Sequence, residues 1–182
     1  VVFGVCGGYQ MLGTTISDPF GVEEGGDVAG IGLLNVETIF AEKKRTIQVE
    51  GYFRNVDGIF KALSGCQFHG YEIHSGVTNF DINNSLCNMK PIYEEGDIVP
   101  EGSQNISEKM NVYGSYVHGV FDGDGIAKNI VEALLAKKGL KAEDVHTISF
   151  AEYKQQQYDI LAEEVRKNLD MKKIYEILGE GI

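Results

Sequence analysis

Two periods of apolar spacing run along this chain, and they assign its elements. Residues 1–5 are a β-branched apolar run that predicts a buried strand, and 8–12 follow as the opening turns of a helix. Residues 32–40, with Leu33, Leu34, Val36 and Ile39, and residues 45–53 predict two more strands, separated by a charged turn at 41–44. Alternation over 70–78 predicts a strand that ends in a turn, and 89–93 and 111–117 predict two further strands. Surface loops are predicted at 17–30, rich in Gly, Asp and Glu around Pro19, and at 94–104, acidic and glycine-bearing. Residues 55–65 fit neither period. The clearest helix is 123–138, where Ala127, Ile130, Val131, Leu134 and Leu135 make one apolar face. Asp122 and Asp124 lie at its positive end, Lys137 and Lys138 near its negative end, and Gly139 stops it. Ser149-x-x-Glu152 is a capping box that opens another helix with Leu161, Val165 and Leu169. Asp170 is placed to cap a last short helix with Ile174, Ile177 and Leu178 inward.

With 182 residues and 43% hydrophobic content, one α/β domain with a proper core is the expectation. A net charge of -11 argues against nucleic acid or anionic membrane as a partner. The three cysteines, Cys6, Cys66 and Cys87, have no tight spacing, so free thiols in a reducing, cytoplasmic setting are expected rather than disulfides or a metal site. No apolar run is long enough to cross a membrane, and no secretory signal is visible.

The chemistry concentrates where the first strand meets the first helix. Gly4-x-Cys6-x-Gly8 has the form of a nucleophile elbow with cysteine in place of serine. Its glycines are expected to relieve clashes at the turn. The turn sets the thiol beside the positive end of a helix, which favours thiolate. The Gly7 N–H then points to where an oxyanion would form. A free cysteine is also commonly a small buried hydrophobe, but the strand before it and Gln10 four residues on favour the catalytic reading. A thiolate needs a base, and the histidines are His69, His74, His118 and His146. His118 falls just past a predicted strand, where α/β proteins place their sites, and Gly119 would allow close approach of backbone or ligand. By position alone His118 serves equally well as a helix cap or a satisfied buried polar group.

Three segments in order, Cys6-Gly7-Gly8-Tyr9-Gln10, Gly70-Tyr71-Glu72-Ile73-His74-x-Gly76 and Tyr116-x-His118-Gly119-x-Phe121-Asp122, resemble the glutamine amidotransferase domains of cobyric acid synthases, enzymes of cobalamin biosynthesis. The loop Asp18-Pro19-x-Gly21-x-Glu23, the segment Gly30-x-Gly32-Leu33-Leu34 and the tail from Tyr158-Asp159 to Leu169-Asp170 extend the likeness nearly end to end. The resemblance implies a flavodoxin-like class I amidotransferase sheet flanked by helices. It also implies a chain that begins partway into that domain, with an ATP- and Mg²⁺-using synthase domain ahead of it and no cofactor of its own. Part of the oxyanion site would then lie upstream, and an uncovered sheet edge near residues 1–5 would favour self-association.

By the same resemblance Cys6 attacks the side-chain amide of glutamine and His118 handles the protons. Gly7 supplies an oxyanion donor, and Gln10, His74 and Ser75 meet the substrate. The ammonia amidates a cobyrinic acid diamide to give cobyric acid. Each of these residues also has an ordinary structural role open to it, and a packed, hydrogen-bonded His74 is as good a reading. Class I amidotransferases carry a Glu two residues after the histidine, where this chain has Val120, as the cobyric acid synthase group does. Glu72 and Asp122 are the candidates left to orient the ring. Glutaminase domains of cobyrinate diamide synthase or of cell-wall amidating enzymes share the elbow and the His-Gly pair but fit 70–76 and 18–23 less well. A non-catalytic interaction domain on this fold would have no need of Cys6, Gln10 and His118.

Overall fold

The computed structural model describes residues 1–140 and 148–180; His146 lies outside them. Two compact units form, Val1–Val145 and His146–Ile182. The first is mixed α/β. Strand β1 (Val2–Val5) leads into helix α1 (Gly7–Leu12), then β2 (Thr15–Asp18), β3 (Gly26–Ala29), β4 (Glu37–Phe53) and β5 (Gln67–Asn79). After these come β6 (Cys87–Pro91), β7 (Val99–Glu101), β8 (Ser103–Ile106), β9 (Asn111–Ser115), β10 (Val117–His118) and α2 (Ile126–Lys137). A three-stranded sheet runs β1-β9-β8, and a seven-stranded sheet runs β10-β5-β4-β2-β3, with β6 on β4 and β7 on β6. Pairing is parallel at β1/β9 and β2/β4 and antiparallel at the other described pairs.

Several elements differ from expectation, each for a visible reason. The predicted turn at 41–44 is a bulge inside one long strand. Phe40 pairs with Gly76 and Arg45 with His74, so residues 41–44 stand opposite Ser75 alone while the ladder continues on both sides. Residues 32–36 are not strand. The backbone N–H groups of Ile31, Leu33 and Leu34 bond to the carbonyls of Met11 and Leu12, covering acceptors that the end of α1 leaves unpaired. Leu34 and Val36 are buried by that wrapping, which explains their apolar character without a ladder. The predicted loop at 17–30 contains the β2/β3 hairpin, registered from Thr15↔Ala29 to Asp18↔Gly26. Its connection is closed by the Asp18 carboxylate, which accepts the N–H groups of Val22 and Glu23 at 2.8 Å and Gly25 at 3.0 Å. Every residue of β3 is exposed, so no burial pattern marks it. The predicted loop at 94–104 holds β7 and the start of β8, and 58–63 form a 3-10 helix that buries Phe60 and Leu63.

One core cluster joins Val49 and Phe53 of β4, Phe68 of β5, Tyr113 of β9, Phe60 and Leu63, and Ile126 of α2. Helix α2 packs through Ile126, Ile130 and Ala133 rather than the predicted Ala127 and Leu134, which are exposed. Its start is Gly125 in the left-handed region, and it ends at Gly139, φ 69°, as expected. A second cluster gathers Tyr9 and Leu12 of α1 with Leu34, Val36, Val112 and Tyr116.

The second unit is the helix pair α3 (Phe150–Asn168) and α4 (Met171–Glu180). The Ser149–Glu152 capping box is present with both of its hydrogen bonds, and Asp170 caps α4 through the Lys173 N–H. Ile177 and Leu178 are exposed, contrary to expectation, as are Leu161, Val165 and Leu169. No described helix is long and apolar enough to cross a membrane.

Strand β1 and helix α1 touch at Gly4, where an added Cβ would meet the Gly8 carbonyl and Leu12 Cδ1 at 2.7 Å. Gly4→Ala is expected to destabilise the first unit by about 1–3 kcal/mol, the usual cost of overpacking, whereas Gly8→Ala, which meets nothing within 4 Å, should be neutral or stabilise by up to about 1 kcal/mol through helix propensity. Equal urea midpoints for the two variants would contradict this.

Candidate active site

Cys6 is the one non-glycine residue with positive φ among the described residues, at φ 53°, ψ -115°. That conformation is costly for a side chain with a Cβ and is characteristic of functional turns. It is imposed from both sides. β1 delivers the chain in register with β9 as far as Val5↔Ser115, and the Cys6 N–H continues the ladder to the Ser115 carbonyl at 2.9 Å. Immediately afterwards Gln10 N–H closes the first helical turn on the Cys6 carbonyl at 3.1 Å. Of the elbow's glycines, Gly4 is required by close approach, as expected, but Gly8 is not: Gly7 and Gly8 face open space. Gly7 heads α1, so its N–H belongs to the unpaired donors of the helix start.

The thiol is partly exposed and donates to the Ile73 carbonyl of β5 at 3.5 Å. His118 reaches the same strand. It is the last residue of β10, in register with Tyr71, with Val117 opposite Glu72. Gly70 makes that pairing close, since a Cβ there would meet Val117 Cγ1 at 2.5 Å. Gly119 is needed for its left-handed φ of 81°, not for close approach, its nearest neighbour being Asp122 Oδ2 at 3.3 Å. His118 Nε2 is buried with no hydrogen-bond partner, a distinction it holds alone among the described side chains. A buried ring nitrogen left open has room to take or give a proton.

Neither candidate orienting carboxylate bonds to His118. Glu72 is committed elsewhere: it pairs with Arg45 Nε, and its other oxygen meets His74 Nε2 at 3.2 Å. Burial alone would raise its carboxyl, but hydrogen bonds from His74 and Arg45, with Arg45's charge, hold it below the usual range. Val120 belongs to the apolar core, which leaves no polar space for an orienting acid at that position.

Gln10 and His74 come together through Tyr116. Gln10 is buried and donates from Nε2 to the Tyr116 hydroxyl at 3.2 Å, and that hydroxyl also bonds to Thr78 Oγ1 at 2.5 Å. The His74 ring stacks on Tyr116 with centroids 3.7 Å apart and planes 13° from parallel. Its Nδ1 meets the Gly76 carbonyl at 2.6 Å, so both ring nitrogens are engaged within the chain. Gly76 permits the assembly, because a Cβ there would sit 2.6 Å from Gln10 Nε2. Ser75 faces the bulge from inside β5, not from a strand end. Arg45, Thr38 and Thr78 escaped sequence reading because only strand register brings them here. Glu72 left a trace, as an acid on the buried face of an alternating strand. No cluster of three or more metal-binding side chains occurs among the described residues.

A strained cysteine between strand and helix, with its thiol on β5, and a histidine with an open buried nitrogen on the strand paired with β5 are the side-chain types that thiol-based acyl transfer uses. The chain belongs to the CobB/CobQ-like glutamine amidotransferase domain family, whose model matches residues 1–126. It is similar to the cobyric acid synthase of Ruminiclostridium cellulolyticum, 48% identical over all of this chain and 35% of the relative. It is also similar to those of Lachnoclostridium phytofermentans, at 43% over all of this chain and 36% of the relative, and Citrobacter koseri, at 42% over 98% of this chain and 34% of the relative. The chain thus spans about a third of the length of these relatives.

The depressed carboxyl of Glu72 gives a pH test. A group whose folded pKa is lowered stabilises the fold above its unfolded pKa and loses that contribution as pH falls through the folded value. The stability advantage of wild type over Glu72→Gln should be largest near neutrality and should shrink as pH drops below about 4.3, the ordinary glutamate value. Urea unfolding at a series of pH values measures it, and a difference constant from pH 7 to pH 3 would refute it.

Proposed function

We propose that this domain hydrolyses glutamine at Cys6 and passes the ammonia to an ATP-dependent amidation of corrinoid side-chain carboxylates, giving cobyric acid. The chemistry is supported by two groups set on β5: the strained Cys6, whose thiol bonds to Ile73, and His118, whose strand pairs with β5 at Tyr71 and whose Nε2 is buried and open. The Cys6 thiol leaves the Ile73 carbonyl, gives its proton to His118, and its sulfur attacks the glutamine amide carbon. The Gly7 N–H meets the oxyanion. The C–N bond breaks, His118 returns the proton to the departing nitrogen, and a γ-glutamyl thioester remains. Water, deprotonated by His118, then cleaves the C–S bond to release glutamate and restore the thiol.

Gln10, His74 and Ser75 stand on the glutamine side of the site. Because both nitrogens of His74 are already engaged, its part and that of Ser75 run through backbone N–H groups at the β4 bulge and through the stack that holds Tyr116 and Gln10. The acceptor chemistry rests on the likeness to cobyric acid synthases. Their remaining two thirds is where ATP, Mg²⁺ and the cobyrinic acid diamide would be handled.

In the intact protein, Cys6→Ser should abolish glutamine-dependent amidation while ammonia-dependent amidation persists, because the acceptor reaction needs only NH₃. His118→Ala should lower glutamate release by about two to four orders of magnitude, the scale of a lost general base. Undiminished glutamate release by Cys6→Ser would remove the nucleophile assignment. A near-normal rate for His118→Ala would remove the base.

A further inference from the structure

The turn Glu101-Gly102-Ser103 joins β7 to β8, and it touches both halves of the site without reaching into it. Glu101 is buried, at 4% exposure, and one carboxylate oxygen accepts the Tyr116 backbone N–H at 2.7 Å. The other accepts the Ser115 hydroxyl at 2.7 Å and the Cys87 thiol at 3.1 Å. Ser115 Oγ in turn accepts the Val117 N–H at 3.1 Å. These residues form the break between β9 and β10, where the chain passes from one sheet to the other and its N–H groups need new partners. On one side of the break the Ser115 carbonyl holds the Cys6 N–H, and on the other His118 follows Val117 directly. Gly102 turns the chain at φ 70°. Ser103 then bonds the Tyr9 hydroxyl at 2.8 Å, and Tyr9 is a fully buried residue of α1, three positions past the cysteine.

We propose that Glu101-Gly102-Ser103 is a positioning clamp, in which Glu101 fixes the strand break that carries His118 and Ser103 fixes the helix that carries Cys6. Neither side chain touches substrate. The clamp sets the separation of nucleophile and base, and misplacement of about 1 Å is enough to cost two orders of magnitude in rate. It rests on the glutaminase reading above.

Glu101→Gln tests it in the intact protein, because the amide turns an acceptor toward two donors, the Ser115 hydroxyl and the Cys87 thiol, into an N–H₂ group. Two quantities are read: glutamate release, and covalent labelling of Cys6 by a diazoketone analogue of glutamine. Turnover and maximal labelling rate should both fall about 10- to 100-fold, with KM and the half-saturating analogue concentration within about threefold of wild type. A folded variant with normal turnover, or one changed only in KM, overturns the clamp. Should Glu101→Gln fail to fold, Ser103→Ala and Tyr9→Phe, which each delete one hydroxyl from the α1 side, must show the same split in turnover against KM. Normal turnover in both overturns it equally. Wild-type protein that takes no label at Cys6 would instead reject the glutaminase reading.

Discussion

The parallel pairing of β1 with β9 is the contact on which the site depends. It joins positions more than a hundred residues apart, from Val2↔Val112 to Val5↔Ser115, and the Cys6 N–H adds one further bond to Ser115. Parallel pairing needs a long crossover, and here nearly all of the first unit serves as one. The loop-closure entropy is recovered only when the intervening strands and the Phe53–Phe68–Tyr113 core have formed. The local strand–cysteine–helix turn is therefore locked into its strained geometry by the finished sheet.

β5 gives that geometry a common rail. The thiol rests on Ile73, His118 pairs with Tyr71, and His74 and Gly76 hold Tyr116 and Gln10. Two buried carboxylates flank the rail in opposite electrostatic settings. Glu72 has a guanidinium and an imidazole beside it, and these outweigh burial. Glu101 has only neutral donors, so burial dominates and its carboxyl is pushed above the usual range. The Cys87 thiol, buried against Glu101, is likewise pushed up and serves as a hydrogen-bond donor, in contrast to the partly exposed Cys6.

What the sequence made legible was local. The strand–cysteine–helix turn, the β-strand around Tyr71–His74, the helix ended by Gly139 and the Ser149 capping box all follow from neighbours within a few residues, and all are present. What it concealed depended on register or on partners far along the chain. The bulge at 41–44 looks like a turn until β5 is seen to run past it unbroken. Leu34 and Val36 carry strand-like apolarity because they wrap the end of α1. Glu101 sits in a Pro-Glu-Gly segment that reads as solvent-exposed loop, and only the break between β9 and β10 gives its carboxylate a reason to be buried.

The backbone at Cys6 also sets a trade between durability and chemistry. A non-glycine residue in so sparsely populated a conformation costs on the order of 1–3 kcal/mol, a sizeable share of a small domain's net stability. Glycine at that position would relieve the strain and discard the sulfur. Selection for a sturdier fold and selection for a working thiol therefore pull the same residue in opposite directions. Under the proposed glutaminase role, a lineage released from that reaction would gain stability by losing the cysteine first.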